Sequence, residues 1–250
     1  MNRKTINTFK QLLAHIGPAG YEFTVSRFFA AQVKKYTDTV TSDQHGNVMA
    51  CINPGGTPRI MLAAHIDEIG LMITHIDDKG FLNIAQIGGW DPQILQGQQV
   101  RIATAKGTIP GVIGKKPIHK IKSSDREKVT KLEDLWIDIG AKDKKEAEKL
   151  VEIGDPIVTG YDAIELPNHI IASRAMDDRA GVFTILEAAR LLAGMDKLAP
   201  EVHIVATVQE EVGLRGAATS CYRINPDIGI AVDVTFATDF PSMDKKEGCV

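Results

Sequence analysis

The sequence is poor in cysteine. It has three, Cys51, Cys221 and Cys249, odd in number, far apart and in no metal-type spacing. That argues against a disulfide framework and a structural zinc site, and it fits a reducing, cytoplasmic setting. The sequence also lacks any apolar run near the ~18 residues that a membrane span requires. Its opening, MNRKTINTFKQLLAHIG, has no apolar core of signal length and reads as a polar-faced helix. There is no basic excess: the formal net charge is -3, which argues against a nucleic-acid or anionic-membrane surface. Internal repeats and low-complexity tracts are missing too. What remains is a soluble intracellular globular protein of 250 residues, 44% hydrophobic and 24% charged. That length suffices for one large domain or two modest ones.

The apolar pattern changes character twice along the chain. Helical spacing runs through residues 4–16 (Ile6, Phe9, Leu12, Leu13) and again through about 22–35 (Val25, Phe28, Phe29, Val33). Short strands flank the turn 43-DQHGN-47, and RIMLAAH at 59–65 has the near-continuous apolarity of a strand buried on both faces. From about Leu71 to Val158 short strands alternate with glycine turns, a hairpin pattern that predicts a compact β-rich insertion. The charged stretch HKIKSSDREKVTK within it reads as a solvated loop, since acids interleave with the lysines. Helical spacing returns at 178–193 with Val182, Ile185, Leu186, Ala189 and Leu192 on one stripe. EVHIVATVQ follows as a buried strand, GLRGAATSCYRI as a helix and DIGIAVDVT as another buried strand. This β-α-β-α-β order predicts an α/β fold, a mostly parallel sheet flanked by helices and interrupted by the β-rich insertion. The expected divisions are 1–69 and 161–250 for the α/β domain and 70–160 for the insertion.

Three predicted strands end in side chains that bind metals. RIMLAAH ends in His65 with Asp67 two residues on, VHIVATVQ in Glu210 and Glu211, and GIAV in Asp233. In open α/β sheets the functional crevice lies beyond the carboxyl ends of the strands. Asp177 and Asp178 add carboxylates at a helix start, where one of them also suits an N-cap. Taken singly, His65 suits a core histidine, and Asp67 and Asp233 suit strand termini or caps. Together they form a nitrogen-and-oxygen ligand set for Zn, Co or Mn, without thiolates. Adjacent glutamates at the end of a buried strand repel unless a helix N-terminus, a basic partner or a metal cation compensates them. One can ligate while its neighbour takes a proton from water.

These residues sit in motifs that resemble one family. They are 64-AHIDEIGLM-72, 87-IGGWDPQ-93 with LQGQQV, 111-GVIGKKPIH-119, 136-WIDIGAKDKKEAE-148 with IGD at 153, 175-AMDDRAG-181, 209-QEEVGLRGA-217 and 231-AVDVT-235. In this order they resemble the tetrahedral dinuclear-metal aminopeptidases (glutamyl and deblocking aminopeptidases) over nearly the whole sequence. The resemblance implies a zinc-peptidase-like domain with a small β-rich dimerisation domain inserted in it. It also implies removal of N-terminal residues from peptides by a two-metal site, and dimers that assemble into a hollow tetrahedral dodecamer. Carried over by position, Asp177 would bridge two divalent ions, Zn or Co. His65 and Asp233 would complete one site and Glu211 would ligate the other ion. Glu210 would be the general base and Asp67 would orient His65, while Asp178 matches no ligand and keeps its capping role.

The resemblance further implies a C-terminal part that supplies the last metal-ligating histidine. No histidine follows His203 here, so that role has no candidate, and only one metal set is complete. The expectation is therefore an aminopeptidase shortened at its C-terminus, with compromised activity. Two alternatives share the scaffold: a non-catalytic assembly or peptide-binding relative, and a deacylase. An endoglucanase activity has no support, because Glu210 and Glu211 are sequence neighbours and not opposed across a cleft. The preferred N-terminal residue and the native metal are not legible.

Overall fold

The computed structural model describes residues 3–160 and 162–241. Two helices open the chain, α1 (Arg3–Ala14) and α2 (Phe23–Val33), followed by the hairpin β1 (Val40–Ser42) and β2 (Val48–Ile52) and then β3 (Arg59–His65). The hairpin turn is tied by Asp43, whose Oδ1 accepts the N–H groups of Gly46 and Asn47.

The chain then builds a closed barrel. Its strands are β4 (Gly70–Ile76), β5 (Leu82–Ile87), β6 (Gln99–Thr104), β7 (Gly107–Lys115), β8 (Leu135–Asp138) and, after α3 (Lys144–Leu150), β9 (Pro156–Thr159). All its pairings are antiparallel, and β9 closes the ring by pairing with both β4 and β6. Leu71, Ile73, Leu82, Ile84, Val100 and Ile102 point into its core, the inward half of an alternating pattern. Each such buried side chain contributes about 1.5–3 kcal/mol relative to exposure.

Beyond the barrel come the short hairpin β10 (Ile164–Leu166) and β11 (Ile170–Ala172), then α4 (Met176–Ala193), β12 (Glu201–Thr207), α5 (Arg215–Ile224) and β13 (Ile228–Ala231). The main sheet has the order β1-β2-β12-β3-β13. It is parallel across β12, β3 and β13 and antiparallel across β1, β2 and β12. Val182, Ile185, Leu186 and Ala189 of α4 are buried with Leu12, Val25, Phe29 and the inner residues of β2 and β12. The Phe9 and Phe183 rings pack 4.8 Å apart where α1 meets α4. The architecture is thus α/β, a sheet with helices packed against it and a β-rich insertion. One strand departs from its reading. β13 looks buried from its apolarity, yet all four of its residues are exposed, because it forms the sheet edge and pairs with β3 alone among the described residues.

Candidate active site

The parallel register Thr207↔His65 brings the ends of β12 and β3 side by side. The side chains that follow each strand therefore meet. His65 is buried, with 3% of its side chain exposed. Its Nδ1 lies 3.3 Å from Asp67 Oδ1, and its Nε2 lies 2.9 Å from Asp177 Oδ1, 3.8 Å from Glu210 Oε2 and 4.0 Å from Asp233 Oδ1. The structure thus gathers His65, Asp67, Asp177, Glu210 and Asp233 around one imidazole. Glu211 joins them, since one donor atom each from His65, Glu210 and Glu211 lie within 4.8 Å of one another.

Asp67 is fully buried and holds the glutamates by their backbone. Its Oδ1 accepts the N–H of Glu210 and its Oδ2 that of Glu211, both at 3.0 Å. Asp178 does part of what a cap does: its Oδ1 accepts the N–H of Gly181 at 3.0 Å. Its Oδ2, however, is buried and has no hydrogen-bond partner, and Asp178 forms a second ligand-like group with His65 and Asp233. A capping role alone leaves that oxygen unused. Gly181 is required here, because a Cβ at that position would come within 2.4 Å of Asp178 Oδ2. Gly88, in the IGGW stretch, is required twice over: its φ is +74°, and a Cβ would stand 2.7 Å from Ile69 and 3.3 Å from Glu211.

The electrostatics show what the cluster lacks. Burial, then the neighbouring Asp177, push the Glu211 carboxyl up to about 7. Burial pushes Asp178 up to about 7 as well, with His65 opposing and Asp233 adding. Glu210 is raised by burial, against the opposing pull of His65. Burial alone would lower His65, but the Asp67 carboxylate 3.3 Å from its Nδ1 and the surrounding carboxylates outweigh that and raise it to about 9. Carboxylates so destabilised in their charged form fit a missing positive charge. With the unpartnered oxygen of Asp178, the donor set suits divalent ions held by imidazole and carboxylate.

A cation entering at neutral pH must displace protons from these groups. We expect metal binding near pH 7 to release protons, and affinity to fall as pH drops below about 9, where His65 is protonated, and more steeply below about 7. Calorimetric titration in buffers of different ionisation enthalpy checks this, and a buffer-independent heat would contradict it.

A third ligand-like group, Cys51, Glu201 and His203, lies toward the opposite ends of β12 and β3. It differs in charge balance. Glu201 Oε1 accepts from Arg59 Nε at 2.7 Å and from His203 Nε2 at 2.8 Å, and its Oε2 accepts the N–H of Gly55 at 2.6 Å. These bonds, that of Gly55 foremost, pull its carboxyl down to about 2, so this group is compensated without a metal. A depressed carboxyl stabilises the fold fully above its unfolded value near 4.3, and that contribution is lost as pH falls toward about 2. Glu201→Gln should therefore flatten the loss of stability between pH 5 and 2, roughly the window spanned by these values, in thermal melts against pH. A variant profile parallel to the wild type would refute this.

A buried ion-pair network lies beneath the site, with Glu68 from AHIDEIGLM and Arg179 from AMDDRAG at its centre. Arg179 is fully buried; its Nη2 meets Glu68 Oε1 at 2.9 Å, and its Nη1 donates to the carbonyls of Leu12, Leu13 and His15. Arg174 pairs with the other Glu68 oxygen. Beside the site opens a cleft of about 580 Å³ toward the barrel, lined by Ile69, Trp90, Ile94, Met176, Asp177 and Glu211 among others. The Trp90 indole is anchored there by its N–H, which donates to the Gly70 carbonyl at 2.8 Å.

Residues 46–250 match the family model of the M42 glutamyl aminopeptidases. A lysyl aminopeptidase of Pyrococcus furiosus is 38% identical over 91% of this chain and 66% of its own length. Among solved structures, a TET aminopeptidase from a marine sediment archaeon of the Thaumarchaeota superposes with a TM-score of 0.93 at 36% identity, covering 96% of this chain and 68% of that one. The Pyrococcus horikoshii TET1 peptidase, which can assemble into a tetrahedron or a large octahedral shell, superposes at 0.83 with 36% identity over 92% of this chain and 68% of that one. The chain spans about two thirds of the length of these relatives. With a family match that covers most of its residues, this chain belongs to the M42 glutamyl aminopeptidase family.

Proposed function

We propose that this chain forms the active site of a metal-dependent aminopeptidase, a hydrolase that removes N-terminal residues from peptides. The observation that carries this is the gathering of six carboxylates around His65, two of them, Asp178 and Glu211, pushed up to about 7. His65 and Asp233 would hold one divalent ion, zinc or cobalt, Glu211 a second, and Asp177 would be shared between them. Asp178, close to His65 and Asp233, would steady the first position through its unpartnered oxygen. When bound, the ions supply a water of lowered pKa and polarise the scissile carbonyl.

The chain's own residues do the rest. Asp67 keeps the imidazole oriented from Nδ1 and pins the backbone of both glutamates. Glu210 accepts a proton from the attacking water as its oxygen adds to the carbonyl carbon. It then returns that proton to the amine nitrogen as the C–N bond breaks. The cleft beside Trp90 and Ile94 offers an apolar wall to the peptide.

Hydrolysis of aminoacyl anilides by the dialysed chain, resupplied with zinc or cobalt, tests the reading. Metal-dependent release from free-amine substrates and none from amine-blocked ones is the expected result. Cleavage of blocked substrates would favour a deacylase, and binding of metal without any turnover would favour a non-catalytic relative. Cytoplasmic location belongs to the same proposal; Cys51 and Cys221 are free thiols, and Cys249 lies outside the described residues. Among the described residues no helix is long and apolar enough to cross a membrane.

The barrel leaves Val112, Ile118, Val129 and Ile153 exposed. We assign residues 70–160 as the domain through which copies of the chain associate, and light scattering of the purified protein reads that directly.

A further inference from the structure

We propose that Glu22 is a positioning residue for the two glutamates of the site: its buried carboxylate sets the backbone at Gln209 and thereby the point from which Glu210 and Glu211 enter. The proposal rests on the metal-dependent reading above. The ladder between β12 and β3 ends at Thr207↔His65. Past that point the next four backbone N–H groups are received by side chains, in order. Val208 donates to Asn47 Oδ1, Gln209 to Glu22 Oε1, Glu210 to Asp67 Oδ1 and Glu211 to Asp67 Oδ2, each at 3.0 Å. Three buried residues from three distant segments thus replace a strand partner. Among them Glu22 holds the residue whose conformation turns the chain. Gln209 has φ of 55°, the left-handed region that a residue bearing a Cβ disfavours.

A local role does not account for Glu22. It stands at the N-cap of α2, yet its side chain makes no capping bond there. Its Oε1 faces away from the helix and accepts the N–H of Gly20 at 2.9 Å together with that of Gln209. One oxygen serving two donors suits a carboxylate, whose bonds are charge-assisted. Glu22 itself is 6% exposed, so its carboxylate has these two N–H donors in place of water.

The test uses the full chain with Glu22→Ala and Glu22→Gln, glutamine keeping an acceptor oxygen. In the metal-free protein, amide hydrogen exchange at 208–211 should quicken about tenfold or more in Glu22→Ala and stay near wild type in Glu22→Gln. Cobalt titration followed by visible absorption should show affinity about 10- to 100-fold weaker in the alanine variant, the range for residues that hold ligands in place. kcat should fall with it while KM stays put. Unchanged exchange at 208–211 in Glu22→Ala would overturn the proposal. Exchange that quickens equally across the whole chain would do the same, because it would mark a general loss of stability. The exchange result does not depend on metal or turnover, so a wild type without either would defeat the peptidase reading and still leave Glu22 decided.

Discussion

A chain carrying Glu210→Gln is expected to bind the same complement of divalent metal as the wild type and to hydrolyse aminoacyl anilides about a hundred- to ten-thousand-fold more slowly. The substitution keeps the shape of the side chain and removes its capacity to take a proton. It leaves the backbone bond from residue 210 to Asp67 in place. Glu210 suits the task because burial raises its carboxyl from the ordinary range, with Asp67, Asp233 and Asp177 adding to the rise against His65. A carboxylate raised above its ordinary range takes a proton from water more readily. The neighbouring Glu211→Gln provides the contrast, since it removes a proposed ligand and should cost metal as well as rate. Wild-type turnover by the Glu210 variant would remove Glu210 from the chemistry. Loss of metal from it would reassign the residue as a ligand.

The largest stability effect is expected at Arg179. Replacing it by methionine leaves Glu68 buried with Arg174 and the Gly17 N–H as partners. It also takes a donor from the carbonyls of Leu12, Leu13 and Ile66, while that of His15 keeps its bond from Arg174. Breaking a buried pair by removing one member costs about 3–5 kcal/mol, because the desolvation of the orphaned charge is no longer offset. The measurement is the shift of the urea midpoint. A double variant, Arg179→Met with Glu68→Leu, should recover part of the loss, since it removes the orphan. If the single variant loses less than ~1 kcal/mol, the scale of a solvated surface pair, the network is not the anchor described above. Because α1, α4 and the loop after β3 all meet at this guanidinium, its loss should also loosen His65 and Asp67.

The sequence exposes some of these features and hides others for physical reasons. The apolar stripe of α4 and the continuous apolarity of β12 are periodic signals, written within a few turns or a few residues of chain. The hairpins of the barrel announce themselves through glycine turns. His65, Asp177, Glu210, Glu211 and Asp233 are legible because each stands at the end of such an element, where a strand or helix must deliver its side chain. The residues that hold them are not legible in this way. Glu22 and Gln209 are separated by 187 positions, and Asn47 and Val208 by 161. Asn47 reads as a turn residue, which it also is, and nothing local suggests its second bond. Arg179 looks like one more charge after two aspartates until the fold closes over it. The Cys51–Glu201–His203 group is likewise a product of strand register, not of spacing.

The way β4 leaves the sheet domain and β9 returns to it bears on how such a chain is put together. The two strands are hydrogen-bonded neighbours, with Leu71 opposite Ile157 and Met72 opposite Pro156. An insertion whose ends lie side by side imposes little separation on the chain that hosts it. The barrel has its own core, and its ring of strands closes without help from the main sheet. It should therefore behave as a transplantable module. A short turn joining residue 69 to residue 160 should let the host sheet form without it, and the excised piece should fold by itself. Changes on faces of the barrel away from Gly88, Trp90 and Ile94 can then accumulate without disturbing the chemistry next door.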